Sequence, residues 1–171
     1  MSMTLFVDAS FDAKTGSAGF GAWAKCDIWQ SGRSFGGVIK TKCKTSAETE
    51  ICGIANALAH MSPIIQENKI NHVVLQCDNI RALGVIACNV PLGRVAKVRN
   101  GVPVPMVRDL TAVEQKVCKF IAGLNIKIWV RHVRGHSSGD GRQGVNNMCD
   151  LLAKSYMRTQ RAKAQAVEVA A

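Results

Sequence analysis

Four acidic residues occupy positions in the sequence from which their carboxylates could act together on a metal ion. Asp8 ends an apolar run near the start of the chain, and Asp78 ends a second one. Glu50 lies in the first two turns of a predicted helix, and Asp150 lies near the start of another. Each acid alone is more typical of a turn cap or a helix-dipole contact. The four together favour a metal site, because a carboxylate that ends a buried strand is costly unless something compensates it.

The chemistry of such a site follows from the oxygen ligands. Four carboxylates without a cation would repel one another and take up protons. Mg²⁺ prefers oxygen ligands and keeps several waters, so a few carboxylates and a substrate phosphate complete its shell. Two such ions, about 3.5–4 Å apart, activate a water and stabilise the leaving oxygen in phosphodiester hydrolysis. We therefore expect a two-metal nuclease site with Asp8 at its centre.

The apolar pattern predicts the elements that position these acids. A period of two, or a short apolar run, predicts strands over 4–9, 19–26, 34–41, 72–77 and 125–132. Helical spacing predicts four helices. The first has its N-cap at Ser46 and ends at Pro63, and the second covers 80–88. The third has its N-cap at Asp109 and ends at residue 122, and the fourth covers 146–161.

The remaining segments are predicted as connections. Residues 89–105 form a basic excursion, with a short helical piece, and residues 135–144 form a mobile glycine-rich loop. The Ala-rich end, 162–171, is expected to fray. The order of elements implies one α/β domain over 1–171, with a core at about 4–157 and a tail over 158–171. Its sheet is mixed and has helices on both faces.

Composition narrows the partners of the chain. Its 171 residues suit one compact domain, and its net charge of +10 favours nucleic acid over an anionic membrane. The seven cysteines include no Cys-x-x-Cys pair, so a zinc site or a disulfide framework is not expected. Because no apolar run is long enough to cross a bilayer, we expect a soluble, cytoplasmic protein. We also expect free thiols and a monomer.

Several short motifs resemble those of the ribonuclease H type 1 family. They are Val7-Asp8-Ala9-Ser10, then Glu50 on an apolar helix, then Cys77-Asp78-Asn79, then Val133-Arg134-Gly135-His136, and finally Asn146-Asn147-Met148-Cys149-Asp150-Leu151-Leu152-Ala153. The last block is the most specific, and the similarity spans about 4–157. The resemblance implies a five-stranded mixed sheet, three antiparallel strands followed by two parallel ones, flanked by helices. It also implies an endoribonuclease that cuts the RNA strand of RNA–DNA hybrids with Mg²⁺ or Mn²⁺.

The resemblance also assigns roles by position. Asp8, Glu50, Asp78 and Asp150 would be the metal ligands, with Asp8 bridging the two ions. His136, in the glycine-rich loop, matches a histidine that assists proton transfer or product release. Glu48 competes with Glu50, but Glu50 keeps the family's offset to the leucine of its helix. The implied nucleic-acid contacts are Ser10, Ser46, Asn79, Arg94, Lys97, Arg99 and Asn146.

The chain departs from the family pattern at positions that contact the substrate. Ala9 replaces the usual glycine after the first aspartate, Ser46 and Ala47 replace asparagines before the glutamate, and Ile80 replaces a polar residue. The basic segment 89–105 lies where family members carry a substrate-binding protrusion, but it also fits a solvated loop. Two other functions therefore stay open. One is a related nuclease for branched DNA or double-stranded RNA, and the other is a catalytically silent nucleic-acid-binding domain.

Overall fold

A computed structural model of the chain describes residues 1–97, 104–135 and 141–169. Its strands, in chain order, are β1 (Ser2–Asp12), β2 (Ser17–Cys26), β3 (Arg33–Val38), β4 (His72–Cys77), β5 (Gly93–Lys97) and β6 (Lys127–His132). Its helices are α1 (Ser46–Glu67), α2 (Ile80–Asn89), α3 (Ala112–Gly123) and α4 (Arg142–Val169). Among the described residues, no helix is both long and apolar enough to span a membrane.

The strands form one mixed sheet in the order β3-β2-β1-β4-β6-β5. Strands β1, β2 and β3 are an antiparallel meander, whereas β4, β6 and β5 run parallel to their neighbours. The predicted fold class is therefore confirmed, with one strand more than the five expected. The additional strand is β5, inside the basic segment that was predicted as an excursion with a helical piece. In the described part of this segment a strand is found where a helical piece was expected, because a five-residue edge strand is too short to show its period. Residues 98–103 lie outside the described residues.

Two helix starts differ from their predictions because a nearby hydroxyl caps the helix instead. The α1 N-cap is Thr45, not Ser46, and the Thr45 hydroxyl accepts a bond from the Glu48 amide. The α3 N-cap is Thr111, not Asp109, since Thr111 and Glu114 form a reciprocal capping box. A threonine three residues before a glutamate satisfies two backbone donors, which a lone aspartate cannot do.

Two helices are longer than predicted. Helix α1 continues past Pro63 to Glu67, and Ile65 in its last turn is buried. Helix α4 begins at Arg142, rather than at residue 146, and remains helical through Val169, where fraying was expected. Burial of apolar side chains therefore outweighs the local proline signal in α1.

The two faces of the sheet carry separate apolar clusters. Leu5 and Val7 of β1 belong to the main core, which α1, α2 and α3 cover. Phe6 points to the opposite face, where it packs with Cys149 of α4 and Val133. Because side chains alternate along a strand, β1 divides its residues between the two layers.

Glycines let α4 lie directly on the sheet. Gly21 pairs with Asp8 across the β1–β2 ladder, and a Cβ atom at Gly21 would collide with the backbone oxygen of Cys149. A Cβ atom at Gly19 would lie 2.5 Å from the Ala153 oxygen. The absence of side chains at Gly19 and Gly21 sets the distance between α4 and the sheet. It therefore also sets the position of Asp150, which follows Cys149 in α4.

The close approach predicts the effect of adding one methyl group. We expect Gly21→Ala to lower the free energy of unfolding by about 1–3 kcal/mol, because α4 must move away from the sheet. The control is Gly144→Ala, in the exposed first turns of α4, where a Cβ atom meets nothing within 4 Å. That change should stabilise the protein by roughly 0.5–1 kcal/mol. Urea denaturation of both variants measures the difference, and equal stabilities would contradict the packing described here.

Candidate active site

The β1–β4 pairing brings two of the four acids together. The parallel register sets Phe6 opposite Gln76, so continuing it by two places puts Asp8 level with Asp78. Asp78 directly follows the last residue of β4, whereas Asp8 lies inside β1, which continues to Asp12 beyond the predicted end at residue 9. The two aspartates meet where the β1–β4 pairing ends, at one edge of the sheet. Asp8 is 5 % exposed, which leaves its carboxylate little solvent.

Helix α1 brings Glu50 to the same edge. One turn further along α1, a Cβ atom at Gly53 would lie 3.1 Å from the Ala9 Cβ, so the helix contacts β1 beside Asp8. Glu50 is 7 % exposed, and the Cys77 thiol donates to its Oε2 atom over 3.8 Å. Ligand atoms of Glu50, Cys77 and Asp78 lie within 4.8 Å of one another. Three elements therefore meet at this point.

Helix α4 supplies the fourth acid, Asp150. Its neighbour Cys149 is fully buried against Phe6, which fixes this turn of the helix on the sheet. The Asp150 Oδ2 atom accepts a 2.7 Å bond from the Lys154 Nζ atom, one helical turn later. Among the described residues, this is the one ion pair that involves any of the four acids.

Proximity of like charges changes the protonation of the cluster. Burial, followed by the charges of Asp78 and Asp150, raises the pKa of Asp8 to about 7. Burial and the charges of Asp8 and Asp78 raise the pKa of Glu50 well above its ordinary value. Burial also raises the pKa of the Cys77 thiol, which keeps that group a neutral donor. A cation beside Asp8 and Glu50 would therefore favour their charged forms near neutral pH.

Glu48, the competitor of Glu50, has a different role. It is buried, but its carboxylate accepts a 2.7 Å bond from the Lys44 backbone amide at the start of α1. Its own amide donates to the capping hydroxyl of Thr45. Glu48 therefore satisfies the helix start, while Glu50 faces the other acids.

Two asparagines predicted as nucleic-acid contacts are used within the fold. Asn146 is 1 % exposed, and its Nδ2 atom donates to the Asp78 Oδ2 atom over 3.5 Å. Asn146 lies in the first turns of α4, where its buried side chain supports Asp78, and its predicted contact with nucleic acid stays a prediction. Asn79 is the N-cap of α2, with its Oδ1 atom accepting from the Ala82 amide over 3.0 Å.

The other predicted contacts are dispersed. Ser10 is half-buried on β1, Ser46 is exposed in the first turn of α1, and Arg94 is exposed on β5. Lys97 is the last residue of β5. Arg99 and His136 lie outside the described residues, so their predicted roles stay predictions.

Sequence reasoning missed three residues that contact the cluster. They are Cys77, whose thiol donates to Glu50, His132, whose Nε2 atom lies 3.1 Å from the Asp78 backbone oxygen, and Lys154. Lys154 was predictable, because residues four apart on a helix share a face. The other two depend on pairing between distant strands, which leaves no local signal.

The donor set fits a hard divalent cation. Four carboxylates offer only oxygen ligands, which Mg²⁺ and Mn²⁺ prefer, and the nearby thiols of Cys77 and Cys149, whose pKa values burial raises, stay protonated. Two of the acids are buried without a basic partner among the described residues. A bound cation would remove the repulsion that the structure otherwise imposes.

Comparison with known sequences and structures identifies the family of the chain. A sequence model of the RNase H family matches residues 1–158. The fold resembles the N-terminal RNase H domain of Rv2228c from Mycobacterium tuberculosis, with a TM-score of 0.63, 13 % identity, and coverage of 95 % of this chain and 98 % of that one. It also resembles RNase H1 from Halobacterium salinarum, with a TM-score of 0.56, 13 % identity, and coverage of 93 % and 99 %.

A third structure is LC11-RNase H1 in complex with an RNA/DNA hybrid. Its TM-score is 0.61 at 10 % identity, and the match covers 92 % of this chain and 97 % of that one. A search of curated protein sequences finds no match. Since the family match spans most of its length, the chain belongs to the ribonuclease H family, and two of the structures it resembles are named as RNase H1. It is a ribonuclease H enzyme, as the resemblance implied.

The raised pKa of Asp8 predicts a pH-dependent stability. Between about pH 4 and 7 the folded protein holds a proton that the unfolded chain releases, so stability falls as pH rises. In EDTA at pH 8, Asp8→Asn should therefore be more stable than the unchanged protein by about 2–4 kcal/mol, with the gap closing toward pH 4. Thermal and urea unfolding across this range measure the gap.

The control for this experiment is Asp109→Asn, the same chemical change at an exposed aspartate. The free energy of unfolding of Asp109→Asn should equal that of the unchanged protein at every pH. Parallel stability curves for Asp8→Asn and the unchanged protein would show that Asp8 carries no raised pKa.

Proposed function

We propose that this enzyme hydrolyses the RNA strand of RNA–DNA hybrids with divalent metal ions. The observation that carries the proposal is the meeting of four carboxylates, from β1, α1, β4 and α4, at one edge of the sheet. The hybrid as substrate is supported by the family match and by LC11-RNase H1, which was solved with an RNA/DNA hybrid.

Asp8, Glu50, Asp78 and Asp150 would hold two Mg²⁺ ions, or Mn²⁺ in their place, with Asp8 shared between them. When bound, the ions supply the positive charge that activates a water and stabilises the leaving oxygen. Asp8 and Glu50 would gain most from a bound cation, because burial and then the neighbouring carboxylates raise the pKa of both.

Neighbouring side chains orient the four acids. Asn146 and His132 hold the side chain and the backbone of Asp78, respectively. Lys154 holds Asp150 in the absence of substrate, and the Cys77 thiol holds one oxygen of Glu50. A site that is fixed in this way reorganises little when the substrate arrives, which favours catalysis.

The substrate would be bound mainly through its phosphates. The net charge of +10 supplies a sequence-independent attraction that weakens with salt. Arg94 and Lys97 on the edge strand β5, with Arg99 beyond it, would contribute phosphate contacts, as would Ser10 and Ser46. His136 would assist proton transfer or product release, so that its loss slows turnover without abolishing it.

The decisive variant is Asp8→Asn, which keeps the shape of the side chain and removes its charge. We expect cleavage of a labelled RNA–DNA hybrid to fall at least about a thousandfold, since the shared ligand is lost. Hybrid affinity in EDTA should change less than about threefold, because basic residues supply most of it. Gel-based cleavage and fluorescence anisotropy measure the two effects.

The same control, Asp109→Asn, should leave both cleavage and affinity unchanged. The greater stability expected for Asp8→Asn in EDTA separates loss of activity from unfolding. Activity that survives in Asp8→Asn would show that the metal assignment is wrong.

A further inference from the structure

A cavity of about 710 Å³ lies on the α4 side of the sheet, where the helix begins and no longer covers the strands. Residues from β1, β2, β4, β6 and the first turns of α4 line it, and none of the four acids is among them. Phe6, in its wall, precedes Asp8 by two residues on β1. The cavity therefore begins roughly 7 Å along the strand from the catalytic cluster.

Two of the side chains that line this cavity each contain a buried polar atom that has no partner among the described residues. The two atoms are the Oε1 atom of Gln76, a side chain that is 2 % exposed, and the Nε atom of Arg131. Gln76 and Arg131 are direct partners in the β4–β6 ladder, so an unpaired acceptor and an unpaired donor lie side by side. Leaving such groups buried and unpaired costs free energy, which a ligand with both a donor and an acceptor would recover.

The charge of the cavity favours an anion. Lys25, Arg131 and Arg142 line it, while its one carboxylate, Asp27, already accepts bonds from the Ser2 amide and hydroxyl. Burial and the nearby charge of Arg142 lower the pKa of Arg131. Two guanidinium groups are thus held close together without a carboxylate between them, an arrangement that suits a phosphate.

The walls also offer aromatic surface. Trp23 and Trp29 line the cavity, and Phe6 meets the Trp23 ring edge-on at 5.8 Å between centroids. The Arg33 guanidinium stacks over Trp29, 4.2 Å from its centroid. Aromatic rings next to cations are the combination by which proteins bind single-stranded nucleic acid, with stacked bases and neutralised phosphates.

From these contacts we infer that the cavity binds one nucleotide of a single-stranded nucleic acid, outside the catalytic cluster. A base supplies an N–H group from which the Gln76 Oε1 atom can accept a hydrogen bond. It also supplies a planar face on which the tryptophan rings can stack. Its phosphate supplies the acceptor for Arg131, Arg142 and Lys25. An acidic peptide would satisfy the cations but would leave the aromatic walls and the Gln76 acceptor unused.

The test is titration of the full chain with an octathymidylate single strand in EDTA. Quenching of tryptophan fluorescence and the anisotropy of a labelled strand measure binding. We expect saturable quenching in the unchanged protein. Binding should weaken about tenfold in the double variant Arg131→Gln with Arg142→Gln, since charged hydrogen bonds are lost. Lys25→Gln, at an exposed position, should weaken binding about threefold, and urea denaturation checks that the variant remains folded.

A charge-matched control separates this site from general attraction. Lys116→Gln with Lys119→Gln removes the same charge from exposed positions on α3, on the other side of the sheet, and should change affinity less than twofold. An octamer of abasic phosphates should bind more weakly than octathymidylate. Equal losses in the two double variants, equal binding of the abasic octamer, or the absence of saturable binding would each overturn the inference. Because no readout depends on cleavage, failure of the proposed hydrolysis would leave this test unaffected.

Discussion

Repulsion between carboxylates at one edge of the sheet is the interaction on which the rest of the structure depends. Asp8 and Glu50 are buried beside Asp78 and Asp150, and burial with these charges raises the pKa of Asp8 to about 7. Such an arrangement costs stability in the protein by itself, so the surrounding fold must oppose it. A cation held by the four acids would convert this cost into affinity for metal.

Close packing of the α1 and α4 backbones against the sheet stabilises the fold against this repulsion. Gly21, opposite Asp8, allows α4 to lie on the sheet, and Gly53 allows α1 to approach β1. Ala9, which departs from the family's usual glycine, directs its methyl group toward Gly53 on the α1 side. The substitution is therefore accommodated by a glycine in the facing helix. The absence of side chains at these positions is as important to the geometry as the acids themselves.

The sequence predicted the carboxylate cluster because the local signal is strong: an apolar run changes abruptly to aspartate at Asp8, within β1, and at Asp78, just after β4. The predicted bounds of β4 coincide with those observed. Strand β5 was missed because Val95 alone cannot establish a period in an edge strand. Caps at Thr45 and Thr111 were missed because adjacent polar residues compete for the same role. The unpaired atoms of Gln76 and Arg131 were beyond prediction, since they depend on how distant strands meet and where α4 begins.

The central claim is that the four acids form a metal-dependent site for RNA–DNA hybrid. The most direct measurement is cleavage by the unchanged protein, with Mg²⁺ or Mn²⁺, of four labelled substrates in parallel: hybrid, double-stranded RNA, duplex DNA and a four-way DNA junction. We predict cleavage of the RNA strand of the hybrid alone, and none in EDTA. Absence of hybrid cleavage at every concentration of either metal would contradict the account. Cleavage of the junction or of double-stranded RNA instead would retain the metal site and reject the substrate.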